Sequence, residues 1–291
     1  MKPPPFEYHD PRTVDAALAL LAEHADEAKV LAGGQSLVPL LNFRLARPEL
    51  IVDINRVAEL DYLDVGDTSV RIGALTRQAT LEHSTAVAAR VPLLTEAVRW
   101  VGHAQIRNRG TVGGSVAHAD PAAELPAVLA TLEARFHVRS ATASRTLSPA
   151  ELFVTHLTTT LEPEELLIEV EVPVPPSGTG SAFVEFARRH GDFALGGAAV
   201  LLTLGPAGTV ERARIGLLAA ADTPLRAGAA EDALIGRAVD QATAEEIADV
   251  AIADVHPTGD IHGGTEYRRR LLRAMVRRAL LAAGERAKEA A

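Results

Sequence analysis

Residues 28–55, AKVLAGGQSLVPLLNFRLARPELIVDIN, hold the pattern from which the fold is read. Ala28 to Ala32 is an apolar run of strand length that stops at Gly33-Gly34-Gln35-Ser36. Leu37 to Phe43 then takes up helical spacing, and Leu50 to Ile54 is a second apolar run. Strand, glycine turn, helix and strand in so short a stretch make a unit of α/β type. Just upstream, Thr13 can cap a helix over about 13–24, whose Val14, Ala17, Leu18 and Leu21 share one face.

Outward from this unit the chain stays mixed. The spacing predicts a hairpin from Leu60 to Val65 and Ser69 to Ala74, turned by Gly66-Asp67, then helices at about 77–84 and 91–101. Ile106 to Ser115 is expected to be a glycine-punctuated loop, Pro121 to Glu133 a helix, and Arg135 to Arg139 and Leu166 to Val172 strands. Residues 173–180, PVPPSGTG, form the clearest linker, and a domain boundary is expected there. Beyond it strands are predicted at 181–188, 196–204 and 210–219, and helices near 226–236 and 243–254, the latter opened by a capping box at Thr243 and Glu246. A terminal helix from about 265 to 284 would carry its apolar line inward and its arginines outward.

Composition bounds the function. The chain has 291 residues, 47% apolar and 23% charged, which is enough for a large core and excludes disorder. A net charge of -9 argues against nucleic acid as a partner. The start, MKPPPFEYHD, does not read as a leader, so a cytoplasmic protein is expected, and the uncharged stretch Phe193 to Val210 reads as two buried strands, not a membrane span. The chain has no cysteine, which removes disulfides, thiol catalysis and any iron–sulfur cluster of its own. Redox work would need a borrowed group.

Two segments carry the chemistry. Ala32-Gly33-Gly34-Gln35-Ser36 and Thr111-Val112-Gly113-Gly114-Ser115 each stack small residues where a strand gives way to a loop. Successive N–H groups freed of side chains can converge on phosphate oxygens, with Ser36, Thr111 and Ser115 adding hydroxyls, and a diphosphate is the natural guest. A Gly-Gly pair also makes an ordinary tight turn, and both readings stand at this point. The familiar nucleotide, zinc-protease and serine-hydrolase motifs are absent. His256, Asp260 and His262 lack metal-site spacing, so no metal site is assigned, while Arg107 and Arg109 beside the second pair are placed to neutralise an anion.

Four stretches in order, residues 31–55, residues 105–127 (QIRNRGTVGGSVAHADPAAELPA), residues 183–195 (FVEFARRHGDFAL) and residues 261–272 (IHGGTEYRRRLL), resemble the flavoprotein, or medium, subunit of molybdenum hydroxylases, most of all the aerobic carbon monoxide dehydrogenase type. The resemblance implies an α+β protein. Its FAD-binding domain, 1–175, would be of the vanillyl-alcohol-oxidase type with subdomains dividing near Asn55, and its C-terminal domain, 176–291, would pack a three-stranded antiparallel sheet on helices. It implies FAD held between Ala32–Ser36 and Thr111–Ser115, with Glu124 at the ribityl chain and Leu161 beside the cofactor. It further implies a molybdopterin-bearing large subunit, a small subunit with two [2Fe-2S] clusters, and a dimer of heterotrimers, with no catalytic residue in this chain. The chain departs from the pattern at Val184-Glu185, where xanthine-dehydrogenase-like relatives have a lysine that reaches the flavin. Arg188, Arg189 and Asp192 follow, either to close the second domain over the cofactor or as a structural ion-pair group. Two other readings remain: a self-sufficient FAD oxidoreductase of the same fold, and an assembly subunit that has lost FAD.

Overall fold

The computed structural model describes residues 2–290. Its first sheet is parallel, β1 (Glu7–His9), β3 (Leu50–Asp53) and β2 (Ala28–Leu31) in that spatial order. Helix α1 (Val14–His24) precedes β2, and α2 (Leu37–Asn42) connects β2 to β3. The Thr13 hydroxyl accepts from the Ala16 amide, and Val14, Ala17, Leu18 and Leu21 are buried against this sheet as their spacing requires.

A second, five-stranded antiparallel sheet runs β4 (Leu63–Val65), β5 (Ser69–Gly73), β10 (Leu166–Pro173), β6 (Arg135–Arg139), β7 (Ser144–Leu147). Six short helices separate β5 from β6: α3 (Gln78–His83), α4 (Thr85–Arg90), α5 (Pro92–Val98), α6 (Ala104–Arg107), α7 (Val112–His118) and α8 (Glu124–Thr131). Between β7 and β10 lie α9 (Pro149–Leu152) and the small hairpin β8 (Phe153–Thr155) and β9 (Thr158–Thr159).

The third sheet has four strands where three were expected. After β11 (Thr179–Phe186), β12 (Gly196–Leu204) and β13 (Val210–Leu218), the two residues of β14 (Leu225–Arg226) add an edge strand. Two residues leave no period to read. Helices α10 (Gly228–Leu234), α11 (Gln241–Ala251) and α12 (Thr265–Ala290) cover one face. The expected Thr243 capping box is displaced: Asp240 caps α11 by accepting from the Thr243 amide at 2.8 Å, which leaves Thr243 inside the helix. The helix expected at 77–84 is followed at once by α4, capped by Ser84, which the sequence pattern did not mark.

The expected linker is a short turn, not a tether. β10 runs to Pro173 and β11 starts at Thr179, and the sheet that follows packs directly on the first body. Phe183, Ala199, Leu201 and Leu218 join the core built by α5, α7 and α8, whereas Ala182, Ala198 and Val200 face α12. A sheet buried on both faces explains why β12 reads as an unbroken apolar run. Helix α12 lies so close to β11 that a Cβ on Gly180 would strike the Ala283 carbonyl, the Ala287 amide and, at 2.8 Å, the Ala287 Cα. Backbone cannot rotate away. Gly180→Ala is expected to cost about 1–3 kcal/mol or more, measured by chemical denaturation; wild-type stability would show that α12 sits more loosely than this packing. Four of the seven α12 arginines are paired with acids, Arg273 with Asp249, Arg277 with Glu245, Arg286 with Glu96 and the buried Arg268 with Asp260 at 2.8 Å. No helix among the described residues is long and apolar enough to cross a membrane.

Candidate functional site

The first glycine segment leaves the end of β2 with its donors free. The amides of Gly33, Gly34, Gln35 and Ser36 donate to no acceptor among the described residues. Gly34 has φ +73°, a conformation an L side chain resists, and the Gln35 side chain folds back to donate to the Gly33 carbonyl at 3.0 Å. Four consecutive free N–H groups at a strand end are what an anionic oxygen array requires.

The second segment differs from its expected form. Residues 106–115 are not one loop but the end of α6, a turn, and the start of α7. Thr111 caps α7, its hydroxyl accepting from the Gly114 amide at 3.1 Å, and the Ser115 amide returns to the Thr111 carbonyl. The amides of Val112 and Gly113 donate to the Thr76 and Ala74 carbonyls at 3.0 and 2.9 Å, beyond the end of β5. So this segment has no nest of free amides. It presents the half-buried Gly114 and the hydroxyl of Ser115, with Thr111, Val112 and Gly113 buried behind.

The two segments meet. A Cβ on Gly33 would collide with the Arg109 carbonyl and come within 2.8 Å of the Gly110 Cα, and one on Gly114 would lie 3.7 Å from the Ala32 Cβ. Gly33 therefore permits backbone to approach backbone, whereas Gly114 leaves room for the Thr111 hydroxyl that caps its own helix. Arg77, just after β5, fastens the junction by donating to the Arg109 carbonyl at 2.5 Å and to Asn55 Oδ1 at 2.7 Å. Asn55 in turn donates to the Ala32 carbonyl at 2.7 Å. Burial and the charge of Arg109 hold the Arg77 guanidinium below its ordinary value. Sequence reading missed Arg77 because its acceptors lie 22 and 32 residues away in the chain. Arg107, expected at the anion, is elsewhere: buried, it forks onto Glu82 at 2.7 and 2.9 Å. A dinucleotide diphosphate fits the free amides, the side-chain-poor facing wall and the adjacent Arg77.

Glu124 opens α8 and is 7% exposed; Leu161 is partly buried against the main core, just beyond β9, and the Leu157 amide binds the Ala119 carbonyl at the end of α7. Burial first, then Asp120, pushes the Glu124 carboxyl up to about 7, against the pull of its own backbone amide and of Arg107. Glu185, at the departure from the family pattern, is also 7% exposed, and its Oε2 is buried with no partner. Burial, and then Glu124, push it up to about 9. Arg188 and Arg189 lie 3.6 and 3.4 Å from Asp192, a local surface group. Beside them Gly191 abuts the His103 ring, and His190 meets Trp100 edge-on. Asp260 is committed to Arg268 and to the His262 amide.

Residues 4–175 match the family described as the FAD binding domain in molybdopterin dehydrogenase, and residues 181–283 the CO dehydrogenase flavoprotein C-terminal domain. The chain is 47% identical, over 99% of its length and 97% of the relative's, to the 6-hydroxypseudooxynicotine dehydrogenase complex subunit alpha of Paenarthrobacter nicotinovorans. It is 40% identical, over 98% of its length and 99% of the relative's, to the carbon monoxide dehydrogenase medium chain of Hydrogenophaga pseudoflava. The solved structure of the Hydrogenophaga pseudoflava carbon monoxide dehydrogenase lacking the Mo-pyranopterin moiety superposes with a TM-score of 0.95 at 42% identity, covering 98% of this chain and 99% of that one.

Proposed function

Since the chain belongs to the FAD-binding subunits of the molybdenum hydroxylases, we propose that its glycine cradle holds FAD so that electrons leave the complex through this subunit. The chain is an oxidoreductase subunit whose cofactor is FAD, and its relatives belong to complexes with large and small partners. The chemistry supplied at the site is that of a flavin, which takes up electrons delivered singly by iron–sulfur clusters and releases them to an external acceptor. The protein's part is to hold and orient. The free amides of residues 33–36 would receive the diphosphate, Ser36 and Ser115 would add hydroxyls, and Ala32, Thr111, Val112, Gly113 and Gly114 would shape the wall, with Glu124 and Leu161 toward the ribityl chain. The observation that carries this reading is the run of four unspent amides beside the backbone of Arg109 and Gly110.

In the same reading the FAD-binding domain spans 1–175, with subdomains of vanillyl-alcohol-oxidase type dividing near Asn55, and the second domain spans 176–291. The partners are a molybdopterin-bearing large subunit and a small subunit with two [2Fe-2S] clusters, assembled as a dimer of heterotrimers in the cytoplasm. Relatives 47% and 40% identical to this chain belong to a 6-hydroxypseudooxynicotine dehydrogenase in one case and a carbon monoxide dehydrogenase in the other. Choice of substrate therefore belongs to the molybdenum subunit. The test is the flavin released on denaturation: one FAD per chain is expected, and FMN, which has a single phosphate, or no flavin would overturn the reading.

A further inference from the structure

Arg77 carries a positive charge that no carboxylate of the described chain touches. Every other buried or half-buried arginine among the described residues is ion-paired with an acid, except Arg269, which donates to the Ala253 and Val255 carbonyls just past α11. Those carbonyls lie at the negative end of a helix. Arg77 has neither kind of partner. Half-buried, it donates to two neutral acceptors, the Arg109 carbonyl and Asn55 Oδ1.

The acids around it are engaged or out of contact. Asp53 accepts from the Tyr8 hydroxyl at 2.6 Å and from the Asn55 amide and side chain at 2.9 and 2.6 Å. Asp61, exposed just before β4, acts on Arg77 from beyond contact distance. Arg109, exposed and with no ion pair among the described residues, adds a second positive charge beside the first. A half-buried guanidinium next to another cation is costly unless an anion joins them. In a chain of net charge -9, two such cations stand against the trend.

The position of Arg77 ties it to the cradle from three directions. Its Nη1 holds the Arg109 carbonyl at 2.5 Å, the same atom that a side chain on Gly33 would strike. Its Nη2 reaches Asn55, which bonds the Ala32 carbonyl at 2.7 Å, and its backbone bridges to Thr111, the cap of α7. The guanidinium is therefore seated where the strand end that carries the free amides of residues 33–36 meets the second segment. Of its five N–H groups, two are engaged by these acceptors.

We propose that Arg77 is the counter-charge of the bound diphosphate: it keeps its bonds to the Arg109 carbonyl and Asn55, and its remaining N–H groups and its charge meet the anion held by the amides of residues 33–36, with Arg109 as the second cation. The inference rests on the FAD reading. The diphosphate of a flavin dinucleotide carries one negative charge on each phosphate, so two cations match it. Arg107, the arginine that the sequence places there, is already neutralised by Glu82.

A counter-charge and a mere clasp respond differently to salt and to lysine. FAD titrated into flavin-depleted protein, the full chain alone or with its partner subunits, should bind more weakly as salt is raised, because salt screens charge. Arg77→Gln should lower FAD affinity on the order of tenfold to a hundredfold at low salt, the worth of a hydrogen bond to a charged group, and should flatten the salt dependence. Arg77→Lys keeps the charge but cannot fork onto two acceptors, so it should keep the salt dependence and recover part of the affinity. Inorganic pyrophosphate should compete with FAD on the wild type and much less on Arg77→Gln. Arg77→Lys that matches Arg77→Gln, with both as salt-dependent as the wild type, would show that Arg77 only fastens the backbone and overturns the proposal. So does FAD binding by the wild type that neither salt nor pyrophosphate weakens, a measurement that stands even where Arg77→Gln does not fold. Failure of the wild type to bind FAD at any salt concentration overturns the underlying reading instead.

Discussion

Gly33→Val protein is expected to purify colourless, folded, and with FAD affinity lowered on the order of a hundredfold or more. The valine Cβ would occupy the place of the Arg109 carbonyl and crowd the Gly110 Cα at 2.8 Å. Both are backbone atoms, so no rotamer relieves the clash, and the two cradle segments must separate. Separation breaks the clasp in which Arg77 reaches Arg109 and Asn55. It also turns the free amides of residues 33–36 away from any diphosphate they hold. Each charge-assisted bond lost weakens binding by about 1.5–3 kcal/mol, and two such losses exceed the roughly 2.7 kcal/mol that separates affinities a hundredfold apart. The same backbone clash costs the fold about 1–3 kcal/mol, so the melting temperature should fall while circular dichroism keeps the wild-type shape, because the three apolar cores lie elsewhere.

Gly34 is the internal control. Its nearest obstacle is a methyl of the flexible Val38 side chain at 3.1 Å, but its φ of +73° disfavours any side chain. Gly34→Ala should therefore bear only a conformational cost of about 1–2 kcal/mol, a partial loss of flavin. Absorbance after denaturation separates the two cases. A fully yellow Gly33→Val protein would show that this glycine serves only the turn.

The parts of the molecule that could be read in the sequence are those whose cause is local. β2, α2 and β3 follow from apolar runs and a glycine stop, and the continuous apolar β12 announces a sheet covered on both faces. The cradle glycines were visible as positions, but their reason was not. Gly33 and Gly113 are required by backbone from elsewhere, the 109–110 turn and Ala74, rather than by contact with a phosphate. For the same reason the second segment looked like a nest: Thr111-x-x-Gly114 opens a helix, and the carbonyls that consume its neighbouring amides belong to residues 74 and 76. The clasp of Arg77 on Arg109 and Asn55 is a product of tertiary folding alone. No spacing rule reaches across 22 or 32 residues to find those acceptors.

The isolated chain should leave its FAD oxidised when mixed with the substrate of the complex, while the reconstituted complex bleaches at least on the order of a thousandfold faster. Productive electron delivery needs the donor held at a fixed position, and losing that positioning typically costs factors of this size or larger. With no cysteine anywhere in its 291 residues, the chain cannot itself ligate the iron–sulfur clusters that stand between molybdenum and flavin in such complexes. Nor do its described residues contain a group of three or more histidine, aspartate and glutamate side chains arranged to hold a metal ion. In the proposed assembly the small subunit would dock near the flavin through a specific interface, for which about 1,000 Å² of buried surface is the usual minimum. Rapid mixing followed at the flavin absorbance tests the point. Equal bleaching of chain and complex would make the protein a self-contained flavoenzyme and would return the search for a substrate-binding group to this chain.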